Sequence, residues 1–278
     1  MTVAELLEKG SSLLSQAHID NFRNEARWIF ESVFDCGREY IVFHFEEETD
    51  SVSAAEYIEK VQKRASGIPV QYVIGSWDFY GESFSVGEGV LIPRPETELL
   101  VDFALDYLKG KENPVVYDLC AGSGCVGLSV AKNCPDANVI LIEKSTDAFV
   151  YLKRNFEKIG CKNSKIVCGD VLSGFDAFDF PKPDLILSNP PYIETAYIES
   201  LQPEVHHEPV MALDGGENGL VFYEAISKKW AQYGNAVAVE CGEGQADSIK
   251  SLFSELFADV YSVKDYNGTE RVVIGRKG

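Results

Sequence analysis

Apolar positions in the first third of the chain repeat at helical spacing. Leu6, Leu7, Leu13 and Leu14 share one face, and Thr2 with Glu5 three residues later makes a capping-box start for that helix. A second apolar face, built from Phe22, Ala26, Ile29, Phe30 and Val33, follows Asp20. The acidic, turn-like run from Glu46 to Ser51 breaks the pattern, and Ser53-Ala-Ala-Glu56 opens a third helix that extends to about Ala65. Helical patterning stops at Gly67-Ile-Pro69. Val70 to Gly75, then Trp77, Phe79, Tyr80, Phe84 and Val86, with glycines at 75, 81, 87 and 89, predict a β-hairpin linker. From Pro95 the texture changes to apolar strands alternating with helical patterns. The strand candidates are Val115–Cys120, Asn138–Glu143, Lys165–Cys168, Asp184–Ser188, Ala236–Cys241, Val260–Val263 and Arg271–Ile274. Such alternation predicts an α/β domain whose mostly parallel sheet carries helices on both faces. The last two strands lie close together and predict a final hairpin that adds an antiparallel edge strand. The expected organisation is a helical domain over 1–74, a hairpin linker over 75–92 and an α/β domain over 93–278.

Composition narrows the function classes. The 278 residues suffice for about two domains. The net charge is −19, and it is spread along the chain: residues 1–90 hold 7 basic and 16 acidic side chains, residues 91–278 hold 18 and 28. Binding to nucleic acid draws on neutralised phosphates, and no segment offers a basic stripe, so no stable nucleic-acid partner is expected. A basic protein partner suits this surface better. No apolar run is long enough to span a bilayer, and Met1 to Leu14 intersperses Glu5, Glu8 and Lys9 among its leucines, unlike a signal peptide; no membrane partner and a cytoplasmic location are expected. The seven cysteines include no CxxC pair and are expected to be reduced and buried. The four histidines lack ligand spacing, so no metal site is expected.

Gly122-Ser123-Gly124-Cys-Val-Gly127 is a GxGxxG string between an apolar strand and a helical pattern, and Glu143 lies 21 residues beyond Gly122 at the end of the next strand. Glycines permit a sharp turn and close approach to a ligand, the helix N-terminus offers N–H groups, and an acidic residue on the second strand accepts from ribose hydroxyls. A nicotinamide dinucleotide and S-adenosylmethionine both fit this pattern. Asp118, just before the loop, favours the second: its carboxylate suits the ammonium of a methionine moiety and would repel a pyrophosphate. The stretch Tyr117-Asp-Leu-Cys-Ala-Gly122 resembles the acidic-residue-plus-glycine signature of class I methyltransferases, in which the end of the third strand, here Gly169-Asp170, commonly meets the adenine. The fourth strand runs into Asn189-Pro190-Pro191-Tyr192. An asparagine oxygen and the Pro190 carbonyl can accept both N–H bonds of one planar –NH2 group, and Tyr192 can stack on it. Such an array resembles that of amino-methyltransferases acting on glutamine side chains or base amines.

The remaining motifs separate those substrates. Gly67-Ile-Pro-Val-Gln-Tyr-Val-Ile-Gly75, Phe79-Tyr-Gly81, Val90-Leu-Ile-Pro-Arg-Pro-Glu-Thr-Glu98, Glu208-Pro-Val-Met-Ala-Leu213 with Gly215, Gly216, Gly219 and Leu220, Glu240-Cys-Gly242 with Gln245, and Gly268-Thr-Glu-Arg271 together resemble the PrmC/HemK family over almost the whole chain. The resemblance implies methyl transfer from S-adenosylmethionine, yielding S-adenosylhomocysteine, to the side-chain N5 of the glutamine in the Gly-Gly-Gln motif of class 1 peptide chain release factors. It implies a class I, Rossmann-like seven-stranded methyltransferase domain with a small helical N-terminal domain, expected to dock the substrate, and a β-hairpin linker. By position, Asp118, Cys120, Ala121, Gly122, Ser123, Gly124 and Asn189 would line the cofactor, Glu143 would hold the ribose, and Asp170 and Val171 would flank the adenine. Asn189, Pro190, Pro191 and Tyr192 would hold the glutamine, with Asn189, Pro190 and Tyr192 as the catalytic group. Cys120-Ala121 replaces the family's usual Gly-Thr, and Glu143 its frequent Asp; the larger side chain at 120 is expected to shift the loop slightly. Glu96 and Glu98 suit a helix's first turn. Arg94, between two prolines, is a candidate partner for a carboxylate beside the cofactor, and His206-His207 reads as a surface loop. The alternative function is a DNA or RNA adenine-N6 methyltransferase using the same loop on a flipped base.

Overall fold

Thr2 Oγ1 accepts from the Glu5 N–H at 3.2 Å and Glu5 Oε2 accepts from the Thr2 N–H at 3.0 Å, so the predicted capping box starts helix α1 (Val3–Gln16). Helix α2 (Phe22–Phe34) follows, then a short α3 (Arg38–Phe43) that the apolar pattern did not announce. Helix α4 spans Ser51–Ala65, and its cap is Asp50, whose carboxylate accepts from the N–H groups of Val52 and Ser53; the predicted start at Ser53 falls two residues late. Val70–Ile74, expected in the β-rich linker, forms one helical segment, α5. Pro69 precedes it, and Gly75 ends it at φ +88°, in the left-handed region that favours glycine. The computed structural model describes residues 1–278, and these helices with residues 202–207 form one compact unit, 1–76 plus 202–207. Its core gathers Leu6, Leu14, Ile29, Phe30, Tyr57 and Val61. Arg64 is buried within it, 2.5 Å from Glu25 on α2 and 2.5 Å from Glu204.

The second unit comprises residues 77–201 and 208–278. It opens with the expected hairpin, β1 (Ser76–Phe79) against β2 (Glu82–Ser85), and continues as α6 (Glu98–Leu108), β3 (Val115–Leu119), α7 (Cys125–Asn133), β4 (Asn138–Glu143), α8 (Thr146–Ile159), β5 (Ser164–Cys168), β6 (Leu185–Ser188), α9 (Val221–Lys229), β7 (Ala236–Glu240), α10 (Ala246–Ser254), β8 (Asp259–Lys264) and β9 (Glu270–Arg276). The seven strands from β3 onward form one sheet in the order β5-β4-β3-β6-β7-β9-β8. The first five are mutually parallel, and β9 is antiparallel to both of its neighbours. The expected antiparallel edge strand is therefore an interior strand: β9 inserts between β7 and β8, and the edge falls to β8.

The pleat sorts the strand residues by alternation. Val116, Val139, Leu141, Leu185, Leu187 and Ala238 face the core shared with α6, α7 and α8. Tyr117, Ile140, Ile142, Ile186, Val237 and Val239 face the core shared with Ile226, Trp230, Ile249 and Phe253 of the opposite layer. The cysteines are all free, but only Cys125 and Cys241 are buried; Cys168 is exposed and the other four are half-buried, so the expectation of uniformly buried thiols fails. No group of three His, Cys, Asp or Glu side chains is placed to hold a metal ion, and no helix is long and apolar enough to cross a membrane.

Candidate active site

The sheet order reverses at β3, whose neighbours are β4 on one side and β6 on the other, and ligands in such sheets bind at the carboxyl ends of the strands beside that reversal. Leu119 and Ser188 pair at the ends of β3 and β6, and the Ser188 hydroxyl donates to the Leu119 carbonyl at 2.6 Å. The glycine loop after β3 and the Asn-Pro-Pro-Tyr loop after β6 therefore leave the sheet side by side.

The first loop turns through three positive-φ residues: Cys120 (+60°), Gly122 (+55°) and Gly124 (+83°). Cys120 holds the left-handed conformation at a cost of about 1–2 kcal/mol that glycine would avoid. The Ala121 N–H is anchored on the Ile142 carbonyl and the Gly122 N–H on Glu143 Oε2 at 2.7 Å. The other Glu143 oxygen accepts from the Ser145 N–H at 2.7 Å. Burial pushes the Glu143 carboxyl up despite these bonds. Asp118 is buried and accepts from the Gly127 N–H at 2.8 Å, which ties β3 to the first turn of α7. Burial, with the Glu143 charge nearby, raises its carboxyl to about 7.

Between the two loops lies a cavity of about 680 Å³, open solvent at its mouth included. Asp118, Cys120, Ala121, Gly122, Ser123, Asn189 and Pro191 line it, together with Gly89, Pro93, Arg94 and Thr97 from the segment before α6. Gly124, Pro190 and Tyr192 belong to the same two loops but lie outside the lining. Glu143, Asp170 and Val171 stand on the same sheet edge, outside the lining. Burial works to raise the Asp170 carboxyl, but Lys144 at 2.9 Å and the Leu172 N–H outweigh it and hold it below the usual range. Val171 is buried, its carbonyl accepting from the Trp230 indole at 2.8 Å.

The second loop is clamped from several directions. A Cβ on Gly215 would lie 2.8 Å from Tyr192 Cα and 2.9 Å from the Pro191 carbonyl, and one on Gly219 would lie 2.5 Å from the Tyr192 carbonyl. The glycine segment thus packs directly on the loop's backbone. Gln245 donates to the Tyr192 carbonyl at 2.9 Å and accepts from the Gly242 N–H at 2.9 Å. Burial pushes the Tyr192 phenol up, and its ring packs with the core beneath α9 and α10. Asn189 Nδ2 donates to Thr97 Oγ1 at 3.1 Å, and the Thr97 hydroxyl donates to Glu240 Oε2 at 2.5 Å. Arg94 pairs with Glu208, whose second oxygen accepts from the Ile92 N–H at 3.0 Å. Glu98 accepts from the Tyr80 N–H at 2.8 Å, while His206 and His207 are exposed. Thr97, Glu240, Gln245 and Glu208 had carried no assigned role, although each lies inside a motif that the family resemblance rested on.

A family model described as the PrmC N-terminal domain matches residues 5–75, and one described as the methyltransferase small domain matches residues 96–229. Release factor glutamine methyltransferase of Geobacter sulfurreducens is 36% identical over all of this chain and 97% of its own length. The relative of the same name in Clostridium acetobutylicum is 33% identical over all of this chain and 99% of its own. The crystal structure of a methyltransferase from Pyrococcus furiosus has a TM-score of 0.52 at 18% identity, covering 82% of this chain and all of that one, a likeness of fold. The chain belongs to the release factor glutamine methyltransferase family, and it is an enzyme of the methyltransferase class.

Proposed function

We propose that the protein methylates the side-chain N5 of the glutamine in the Gly-Gly-Gln motif of class 1 peptide chain release factors, with S-adenosylmethionine as donor. The observation that carries this reading is Asn189: its amide lines the cavity beside the glycine loop while its own –NH2 is held by Thr97. That leaves the carbonyl oxygen for an acceptor that brings –NH2.

The donor fits the residues present. A Cβ built on Gly122 meets no atom within 4 Å, so the loop borders open space that only glycine leaves whole. Asp118 offers a buried carboxyl to an ammonium group, and an arriving cation favours its ionised form. Cys120, Ala121, Gly122, Ser123 and Gly124 would hold the methionine and ribose portion. Glu143 would take the ribose through lone pairs not used by Gly122 and Ser145, and Asp170 with Val171 would border the adenine. When bound, S-adenosylmethionine supplies an intrinsically electrophilic methyl group.

The chain's remaining work is positioning. An amide nitrogen is a poor nucleophile because its lone pair is delocalised. Asn189 Oδ1 and the Pro190 carbonyl accept its two hydrogens and aim it, Pro191 stiffens the loop, and Tyr192 borders the planar group. Proximity and orientation supply up to about 7–11 kcal/mol in well-aligned systems. Asp118, the one carboxyl lining the cavity, is assigned to the ammonium of the donor, so the proton leaves to solvent after transfer. The helical unit, with its excess of acidic residues, serves as the docking surface for the factor. The net charge of −19 weighs against the base-methylating alternative.

The test is methyl transfer from labelled S-adenosylmethionine to a purified class 1 release factor, run beside the same factor with its Gly-Gly-Gln glutamine changed to alanine and beside duplex DNA. Label on the wild-type factor alone is expected. Label on DNA, or equal label on the alanine factor, overturns the substrate assignment.

A further inference from the structure

We propose that Thr97 and Glu240 act as positioning residues, forming a hydrogen-bond relay whose direction decides which end of the Asn189 amide faces the methyl acceptor. This rests on the reading of Asn189 as the residue that accepts from the substrate –NH2.

An asparagine amide is nearly symmetric in shape but opposite in function at its two ends: the oxygen accepts and the nitrogen donates. Flipped, Asn189 would present –NH2 to –NH2 and hold nothing. Its orientation must therefore be imposed from behind, and the structure supplies the means. Thr97 has one hydroxyl hydrogen. Glu240 Oε2 lies 2.5 Å away, and in its carboxylate form it has no hydrogen to give, so that hydrogen then goes to Glu240. Thr97 is then left with only lone pairs toward Asn189, and Asn189 must turn its –NH2 to them, at 3.1 Å. The carbonyl oxygen consequently faces away from Thr97.

Water cannot substitute for either member. Thr97 and Glu240 are each 2% exposed. Glu240 sits at the last position of β7, and its backbone carbonyl accepts from the Tyr223 hydroxyl at 2.8 Å, which fixes the strand end. Its side chain forms no ion pair, and Thr97 is its one hydrogen-bond partner; the charges of Arg271, Glu96 and Arg94 act on it from further away. A buried carboxylate spent on a single hydroxyl is costly, and setting that hydroxyl's direction is a use that accounts for it. Thr97 lies in the short 3-10 turn before α6, and Asn189 follows β6, so the relay joins three segments far apart in sequence.

The test uses the full-length enzyme, three relay variants and Asn189→Ala as a reference. Thr97→Val removes the hydroxyl at nearly constant shape, Thr97→Ser restores it, and Glu240→Gln leaves a partner that can either accept or donate. The first readout is the Asn189 side-chain amide resonance pair, identified by its absence in Asn189→Ala. Hydrogen exchange at that pair is expected to be at least tenfold faster in Thr97→Val and within threefold of wild type in Thr97→Ser. The second readout is the split between kcat and KM on a Gly-Gly-Gln peptide. Thr97→Val is expected to lose 10- to 100-fold in kcat with S-adenosylmethionine affinity by calorimetry within twofold, Thr97→Ser to stay within threefold, and Glu240→Gln to lose at least threefold. Unchanged exchange and kcat in Thr97→Val, or a Thr97→Ser as impaired as Thr97→Val, overturns the relay; if Thr97→Val does not fold, Thr97→Ser and Glu240→Gln still decide. A wild-type enzyme that labels no glutamine but shows Thr97-dependent exchange would sink the substrate reading and leave the relay standing.

Discussion

Two glycines of the same loop, changed separately to alanine, distinguish loss of ligand from loss of fold. At Gly122 the φ of +55° charges any L side chain about 1–2 kcal/mol. The new methyl, however, meets no protein atom within 4 Å. Its protein-side cost is therefore backbone strain alone, and the domain should remain folded. At Gly127, inside α7, the conformation is ordinary helix, but the methyl would lie 2.6 Å from Leu141 Cδ2 and 2.8 Å from Asp118 Oδ2. Something must shift, at the roughly 1–3 kcal/mol typical of overpacking, and the Gly127–Asp118 bond that joins β3 to α7 is the nearest thing to give. Urea unfolding measures the stability of each variant, and calorimetry with S-adenosylmethionine and S-adenosylhomocysteine measures the site. Gly122→Ala should lose at least tenfold in affinity, about 1.4 kcal/mol or more, because its methyl enters the space assigned to the ligand. Gly127→Ala should show its damage first in the urea transition. If Gly122→Ala binds the donor within twofold of wild type, the space beyond Gly122 is not the ligand's, and the placement of the cofactor along this loop is wrong.

Asn189→Ala should lose about 10²–10³ in kcat, the scale of deleting one preorganised polar contact, with donor affinity retained in calorimetry; a loss below tenfold in a folded protein refutes its role. Burial raises Glu240 to about 7, so the unfolded chain gives up this proton first as pH rises. Stability should accordingly fall from about pH 4.5 to about 7, by on the order of 3 kcal/mol, while kcat rises as the relay's carboxylate forms; Glu240→Gln should flatten both profiles, and a pH-independent kcat in wild type would contradict the relay. In the helical unit, Arg64→Met leaves Glu25 buried without its partner and should cost about 3–5 kcal/mol in urea unfolding. Adding Glu25→Leu should recover at least half of that loss, and a cost under 1 kcal/mol for the single change would show that the pair contributes little.

Strand–helix alternation was legible because parallel strands buried on both faces read as short continuous apolar runs, and β3, β4, β6 and β7 do. What failed has one local cause and one long-range cause. Val70–Ile74 has β-like residues, but Pro69 and the left-handed Gly75 bracket a helical turn. The interior place of β9 depends on a pairing with β7 that no local pattern encodes. The glycine loop, Glu143 and the Asn-Pro-Pro-Tyr loop were readable because each is a contiguous string at the end of a strand. Thr97 and Glu240 were not, since they are 143 residues apart and only the sheet brings them together. Arg94 was singled out for its prolines, yet only the fold names Glu208 as its partner.

The sheet order also constrains how the domain assembles. Strand β8 touches the rest of the sheet only through β9, so it has no place to dock until β9 has formed. The two are joined by a five-residue turn in which Asp265 accepts from the Asn267 and Thr269 N–H groups and pairs with Arg271 at 3.0 Å, a local hairpin that can close within about microseconds. Pre-formed, that hairpin presents β9 as its open edge to the waiting edge of β7 and seals it in one step. Until then β7, with all five residues destined for burial, is an unpaired apolar strand edge, the element of this chain most prone to pair with a stranger. Slowing the hairpin, for instance by removing the Asp265 side chain, should therefore show itself as aggregation during refolding.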